Sequence, residues 1–255
     1  MAVIALASAS GSPGVTTTAL GLALLWPRPV LLVEADPTGG SGLLAGYFRG
    51  TTTYAAGTIE LALTSSNLGD ALADVAQPIA GTQVSYVAGT RSHTQAGALS
   101  DLWPSLAVAL AELEPTGQDV IIDAGRLGLV GSPGDLLEAA DLALLVTRTH
   151  LPALSAARSR ADALRRPPLD WHQSGVLLVG ESQPYSAREV ATVVELPVVA
   201  SLADDPESAA VFSRGAKPPR RFETGALSRG LQAAIAAIHT TVIRRRTELL
   251  EGAPS

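Results

Sequence analysis

Near the start of the chain, Gly11-Ser-Pro-Gly14 separates an apolar run ending in small residues from Thr16-Thr17-Thr18. Glycines so spaced permit a tight turn with positive φ, and such a turn opening a helix converges backbone N–H groups on one point. That arrangement, with the positive end of the helix dipole, holds phosphate. Gly11, Ser12, Gly14, Val15, Thr16 and Thr17 are therefore candidate phosphate ligands, and the Thr16 hydroxyl could reach a phosphate-bound Mg2+. Pro13 removes one donor from the set. A plain strand-to-helix turn capped by threonine fits the same residues equally well.

Two further stretches shift that balance. Val30-Leu-Leu-Val-Glu-Ala-Asp-Pro37 and Asp119-Val-Ile-Ile-Asp123-Ala-Gly125 are apolar runs that end in carboxylates. In an open α/β sheet the ligand crevice lies at the C-terminal strand ends. A glycine loop, Asp36 and Asp123 would meet there, and Asp123 with Thr16 could hold Mg2+ through water. Asp36 also fits a simpler role as a turn cap before Pro37.

The elements needed to bring these residues together are legible. Short apolar runs predict strands at Val3–Ala7, Val30–Glu34, Val84–Ala88, Val120–Asp123, Leu142–Thr147, Val176–Val179 and Val198–Leu202. Alanine- and leucine-rich stretches predict helices at Thr17–Leu25, Leu68–Val75, Asp101–Glu112, Asp135–Ala139, Ala153–Leu164, Ala187–Val194, Pro206–Ser213 and Leu227–Arg245. The alternation specifies a doubly wound α/β fold with a mainly parallel sheet of seven or eight strands, covered by helices on both faces. The proline breaks at Arg165-Arg-Pro-Pro168 and Lys217-Pro-Pro-Arg-Arg221 are loop-sized, so 1–255 reads as one domain with a frayed tail at 251–255.

Composition narrows the function classes. The chain is 47% hydrophobic, enough for a large core, and a net charge of −6 argues against a dedicated nucleic-acid binder. It has no cysteine, which excludes disulfides and thiolate metal sites and fits a cytoplasmic protein. His93, His150, His172 and His239 share no metal-ligand spacing. Of the 18 basic residues only Lys217 is a lysine.

The order of glycine loop, acid-tipped strand and Asp-Ala-Gly strand resembles the ParA/MinD family of P-loop ATPases, a SIMIBI group with a deviant Walker A loop, Lys-Gly-Gly-x-Gly-Lys-Thr-Thr. Aligned on the glycines, the family's two lysines fall at Ser10 and Val15, and its threonine pair at Thr16 and Thr17. Glu34-Ala-Asp-Pro37 is similar to its Asp-x-Asp-Pro strand end, Asp123-Ala-Gly125 to its Walker B strand, and Leu196 to Pro206 to its late strand and Asp-Pro. The resemblance covers essentially the whole chain. It implies ATP or ADP with Mg2+ as cofactor, a homodimer, and at Asp36 the aspartate needed for hydrolysis.

The missing lysines imply weak or absent nucleotide binding and impaired hydrolysis, because transition-state charge would go unneutralised. A lysine-poor genome would substitute arginine, yet Val15 carries no charge. Arg28, Arg126 and Arg148 are candidates for a replacement cation, each also readable as an ordinary solvated or salt-bridged arginine. Family members with eroded lysines, similar to the TadZ/CpaE proteins, position a tight-adherence pilus or secretion apparatus. That implies a positioning scaffold with a protein cargo; an active slow partition or positioning ATPase is the alternative, and a SIMIBI metabolic ligase a third reading. The Arg214 to Arg221 basic stretch reads as a solvated loop rather than a DNA contact. The Leu231, Ile235, Ile238 and Val242 stripe, before Arg244-Arg-Arg246 and Leu249-Leu250, fits docking on the sheet better than binding a membrane.

Overall fold

A computed structural model describes residues 1–11, 13–164 and 173–252; Ser12, the Arg165 to Pro168 break, His172 and residues 253–255 of the expected frayed tail lie outside the described residues. The strands are β1 (Val3–Ser8), β2 (Val30–Glu34), β3 (Gln77–Pro78), β4 (Val84–Val87), β5 (Asp119–Arg126), β6 (Leu142–Arg148), β7 (Ser174–Val179) and β8 (Val198–Leu202). They form one eight-stranded sheet in the order β3-β4-β2-β5-β1-β6-β7-β8. All pairs are parallel except β3 with β4. β3 is the strand added to the seven expected; it is short and contains proline, which confines it to an edge.

The helices are α1 (Val15–Leu25), α2 (Thr58–Leu63), α3 (Leu68–Val75), α4 (His93–Ala96), α5 (Leu102–Ala111), α6 (Gly134–Glu138), α7 (Leu151–Leu164), α8 (Ala187–Val194), α9 (Pro206–Arg214) and α10 (Ala226–Gly252). A π-helical turn covers Leu43–Tyr47. α2, α4 and this turn are additions to the expected helices, and α10 extends past Arg245 to Gly252.

The period-2 alternation of a strand sorts side chains to the two faces of the sheet. Val3, Ala5 and Ala7 of β1 join one buried cluster with Trp103, Leu106 and Leu110 of α5 and Leu154 of α7. Ile4 and Leu6 join the other, with Leu20 and Leu22 of α1 and Leu231 and Ile238 of α10. Leu231, Ile235, Ile238 and Val242 are all buried, so the stripe expected on the last helix is spent on the sheet and on α1. No helix among the described residues is long and apolar enough to cross a membrane.

The N-terminal edge of the sheet is tied by Asp119, whose side chain is fully buried. It accepts hydrogen bonds from Ala2 N at 2.6 Å, Trp26 Nε1 at 2.7 Å and Arg28 Nε at 2.9 Å. Burial alone would raise this carboxyl, but the donors Arg28, Trp26 and Ala2 hold it below the ordinary carboxylate range. Its contribution is therefore complete above the unfolded carboxyl's value near pH 4 and fades as pH falls further. Truncation would strand a buried indole N–H, a backbone N–H and a guanidinium. Asp119→Ala is expected to lower the urea-unfolding free energy at pH 7 by about 3 kcal/mol; a loss under about 1 kcal/mol would contradict this role.

Candidate functional site

The loop after β1 has the backbone the phosphate reading requires. Gly11 has φ 64° and Gly14 φ 98°, both left-handed, which glycine adopts without strain. Gly14 is the N-cap of α1, with no side-chain cap and no acidic residue in the first turn. The first intrahelical bond runs from Thr18 N to Gly14 O at 2.8 Å. The N–H groups of Val15, Thr16 and Thr17 are thus left over by the helix, at its positive end, beside a cavity of about 370 Å3. Gly11, Gly14, Val15, Thr16, Thr17, Asp36, Gly125 and Arg126 border it. Ser12 lies outside the described residues.

β2 and β5 bring up the acids. Adjacent in the sheet, they pair Glu34 with Asp123, so both carboxylates reach the same edge as the glycine loop. A second cavity of about 170 Å3 is bordered by Thr16, Glu34, Asp36, Gly42, Thr90 and Asp123. Thr16, Asp36 and Thr38 border both cavities, which makes them two parts of one site. Asp123 is 1% exposed; its Oδ1 accepts from Gly125 N at 3.1 Å, and its Oδ2 has no hydrogen-bond partner among the described residues.

Burial pushes the Asp123 carboxyl up to about 7, with the Asp36 and Glu34 charges adding to the rise. The neighbouring Thr16 hydroxyl and the Gly125 N–H oppose it, the hydroxyl without meeting the geometry of a full hydrogen bond. A buried carboxylate oxygen without a donor, next to a threonine hydroxyl and the leftover amides, is a donor set suited to a hydrated divalent cation on a phosphate. The residues therefore fit both Mg2+ and a polyphosphate.

Asp36 does what the simpler reading expects, since its Oδ1 accepts from Thr38 N at 2.9 Å, and it also lies against Gly125. A Cβ at Gly125 would come within 2.1 Å of Asp36 Cγ, and Gly125 has φ 59°, so only glycine fits there. Glu34 is a site residue that the sequence did not single out. It accepts from Leu43 N at 2.9 Å, Gly89 N at 3.3 Å and the Ser41 hydroxyl, and so clasps the turn that roofs the smaller cavity. Burial raises its carboxyl against those hydrogen bonds. The sequence signals were an acid closing an apolar strand and its place at the first acid of the Asp-x-Asp-Pro resemblance.

The Val15 side chain brings no polar group to the cavity, to which the residue offers only its backbone N–H. It is 7% exposed and packs in the cluster holding Ile4, Leu20 and Leu231. Of the three candidate replacement cations, Arg28 is corrected outright: it is committed to Asp119 at the opposite edge of the sheet, about 13 Å of strand from Asp123. Arg148 lies on the correct edge, bordering a cavity of about 430 Å3 with Gly14, Thr17 and Asp205, but it pairs with Asp204 at 2.5 Å. Arg126 is exposed, and its side chain has no hydrogen bond or ion pair among the described residues. His93, His150 and His239 gather no metal cluster among the described residues.

Fold and site together define an α/β protein with a phosphate-shaped loop and carboxylates at one sheet edge. No protein-family model matches the sequence, and no curated protein matches it. Solved structures do. The Aquifex aeolicus MinC:MinD cell division protein complex matches with a TM-score of 0.74 at 13% identity, over 94% of this chain and 96% of that one. MinD complexed with Mg-ADP from Pyrococcus horikoshii matches with 0.69 at 17%, over 93% and 95%. A ParA family ATPase from Chlorobium tepidum matches with 0.66 at 14%, over 94% and 98%. The chain has the fold of the MinD and ParA ATPases along almost its whole length.

The Asp123 geometry gives a pH test. Because burial lifts its folded value above the unfolded one, the folded state binds that proton more tightly, and stability falls as pH rises from about 4 to about 7. In metal-free buffer, Asp123→Asn is expected to stabilise the protein at pH 8 by up to about 4 kcal/mol, and by less at pH 5. Equal gains at both pH values in thermal melts would contradict the assignment.

Proposed function

We propose that this chain is a degenerate relative of the ParA/MinD ATPases that binds ATP or ADP with Mg2+ weakly and hydrolyses it slowly or not at all. It acts as a homodimeric cytoplasmic positioning scaffold for protein machinery, of the TadZ/CpaE kind, serving a pilus or secretion apparatus. The single observation carrying this reading is the 7% exposure of Val15 within the core, where the family loop offers a lysine. The similarity to MinD complexed with Mg-ADP supports nucleotide as the ligand, and that to a MinC:MinD complex supports a protein partner.

In this reading the leftover amides of Val15, Thr16 and Thr17 cradle the phosphates, while Thr16 and Asp123 hold Mg2+, which would screen phosphate charge. Asp36, fixed by Thr38 N and Gly125, stands at the join of the two cavities with no lysine beside it. Binding needs only the fixed donors, whereas hydrolysis needs charge neutralised as it develops, so turnover suffers more than affinity. The presence of Asp36, Thr16 and Asp123 in one crevice favours a second reading, a slow but active ATPase.

One comparison separates them. The wild type is expected to bind Mg-ADP in calorimetry with turnover at background, and Ser10→Lys/Val15→Lys to bind about two orders of magnitude more tightly. Wild-type turnover above background that Asp36→Asn abolishes would establish the active ATPase instead.

A further inference from the structure

We propose that Arg126 is the cation that holds the ligand's phosphate groups, acting from the end of β5 where the glycine loop itself has no cation. This rests on the nucleotide reading above and names the residue that makes it electrostatically workable.

Arg126 is the last residue of β5, in register with Ser8, the last residue of β1. The chain just beyond it is fixed there, since Leu127 N donates to Ser8 O at 2.9 Å. It therefore stands at the mouth of the glycine loop and borders the same cavity as Gly11, Gly14, Thr16 and Asp36. Arg28 and Arg148 are held by Asp119 and Asp204, whereas the Arg126 side chain has no such partner among the described residues. Among the described residues no other lysine or arginine borders this cavity.

The charge balance at the site calls for such a group. Asp36 and Asp123 would repel a polyphosphate that met only backbone amides. The buried Oδ2 of Asp123, unpartnered among the described residues, is an independent sign that a cationic ligand belongs beside Thr16. A divalent cation answers the carboxylates on the Asp123 side, and the Arg126 guanidinium answers the phosphate oxygens on the open side. Guanidinium is the better phosphate partner in form, because its planar donors can contact two oxygens at once. A strand end fixed in the sheet places its backbone in advance, so binding has only the side chain's own rotamer freedom to remove.

The test is calorimetric titration of Mg-ADP and inorganic tripolyphosphate into wild type, Arg126→Ala and Arg126→Lys, with Arg188→Ala on the exposed face of α8 as a remote charge control. The expected result is binding by wild type and by the control, at least about tenfold weaker binding of both ligands by Arg126→Ala, and an intermediate affinity for Arg126→Lys. Arg126→Ala should melt at the wild-type temperature and show a shallower salt dependence of binding. Equal affinity of Arg126→Ala and wild type would overturn the assignment of Arg126 and leave the nucleotide reading standing. No binding of either ligand by wild type at millimolar concentration would overturn both.

Discussion

The structure turns on one buried carboxylate. Asp123 sits near the end of a central strand, almost wholly buried, beside two further acids and with one oxygen lacking a donor among the described residues. Like charges at close range in a low-dielectric interior do not share a site without compensation. Here the compensation is local: Glu34 is wrapped by Ser41, Leu43 and Gly89, Asp36 is turned onto Thr38 N against Gly125, and Thr16 stands beside Asp123. What these contacts leave, among the described residues, is a carboxylate oxygen without a donor next to Thr16 and the cavity bordered by the glycine loop.

The sheet order creates that juxtaposition. β5 lies between β1 and β2, so the loop after β1, the acids of β2 and Asp123 arrive at one edge although they are far apart in sequence. The same order sends Asp119 to the far edge, where it binds Trp26 and Arg28 and closes the sheet underneath. One strand, Asp119–Arg126, thus carries a structural anchor at its start and, at its end, the candidate site acid and the arginine proposed above. Val15 sets the chemical limit of the site: a valine buried in the same core cluster as Ile4 and Leu231 adds to the core and supplies no positive charge to the loop.

Much of this was legible in the residues. The seven parallel strands follow from short apolar runs, because a strand buried on both faces has no polar face to interrupt the pattern. β3 was hidden, since two residues including proline carry no periodicity, and α2 and α4 are too short for a helical repeat to emerge. Gly11, Gly14, Thr16, Thr17, Asp36 and Asp123 could be named because backbone chemistry and strand ends announce them. The Glu34 clasp, spanning 55 residues to Gly89, and the Arg28 pair, spanning 91 to Asp119, could not, since both depend on the closed sheet. That closure removed Arg28 from the replacement cations and left Arg126 beside the loop.

The central claim is that the amides of the glycine loop, rather than any side chain within it, receive the phosphates. Amide chemical shifts followed by NMR during titration with Mg-ADP test it directly. The account predicts large, saturable shifts at Gly14, Val15, Thr16 and Thr17, with smaller ones at Gly125 and Arg126. Shifts confined to other segments, with these amides unmoved at saturation, would contradict it.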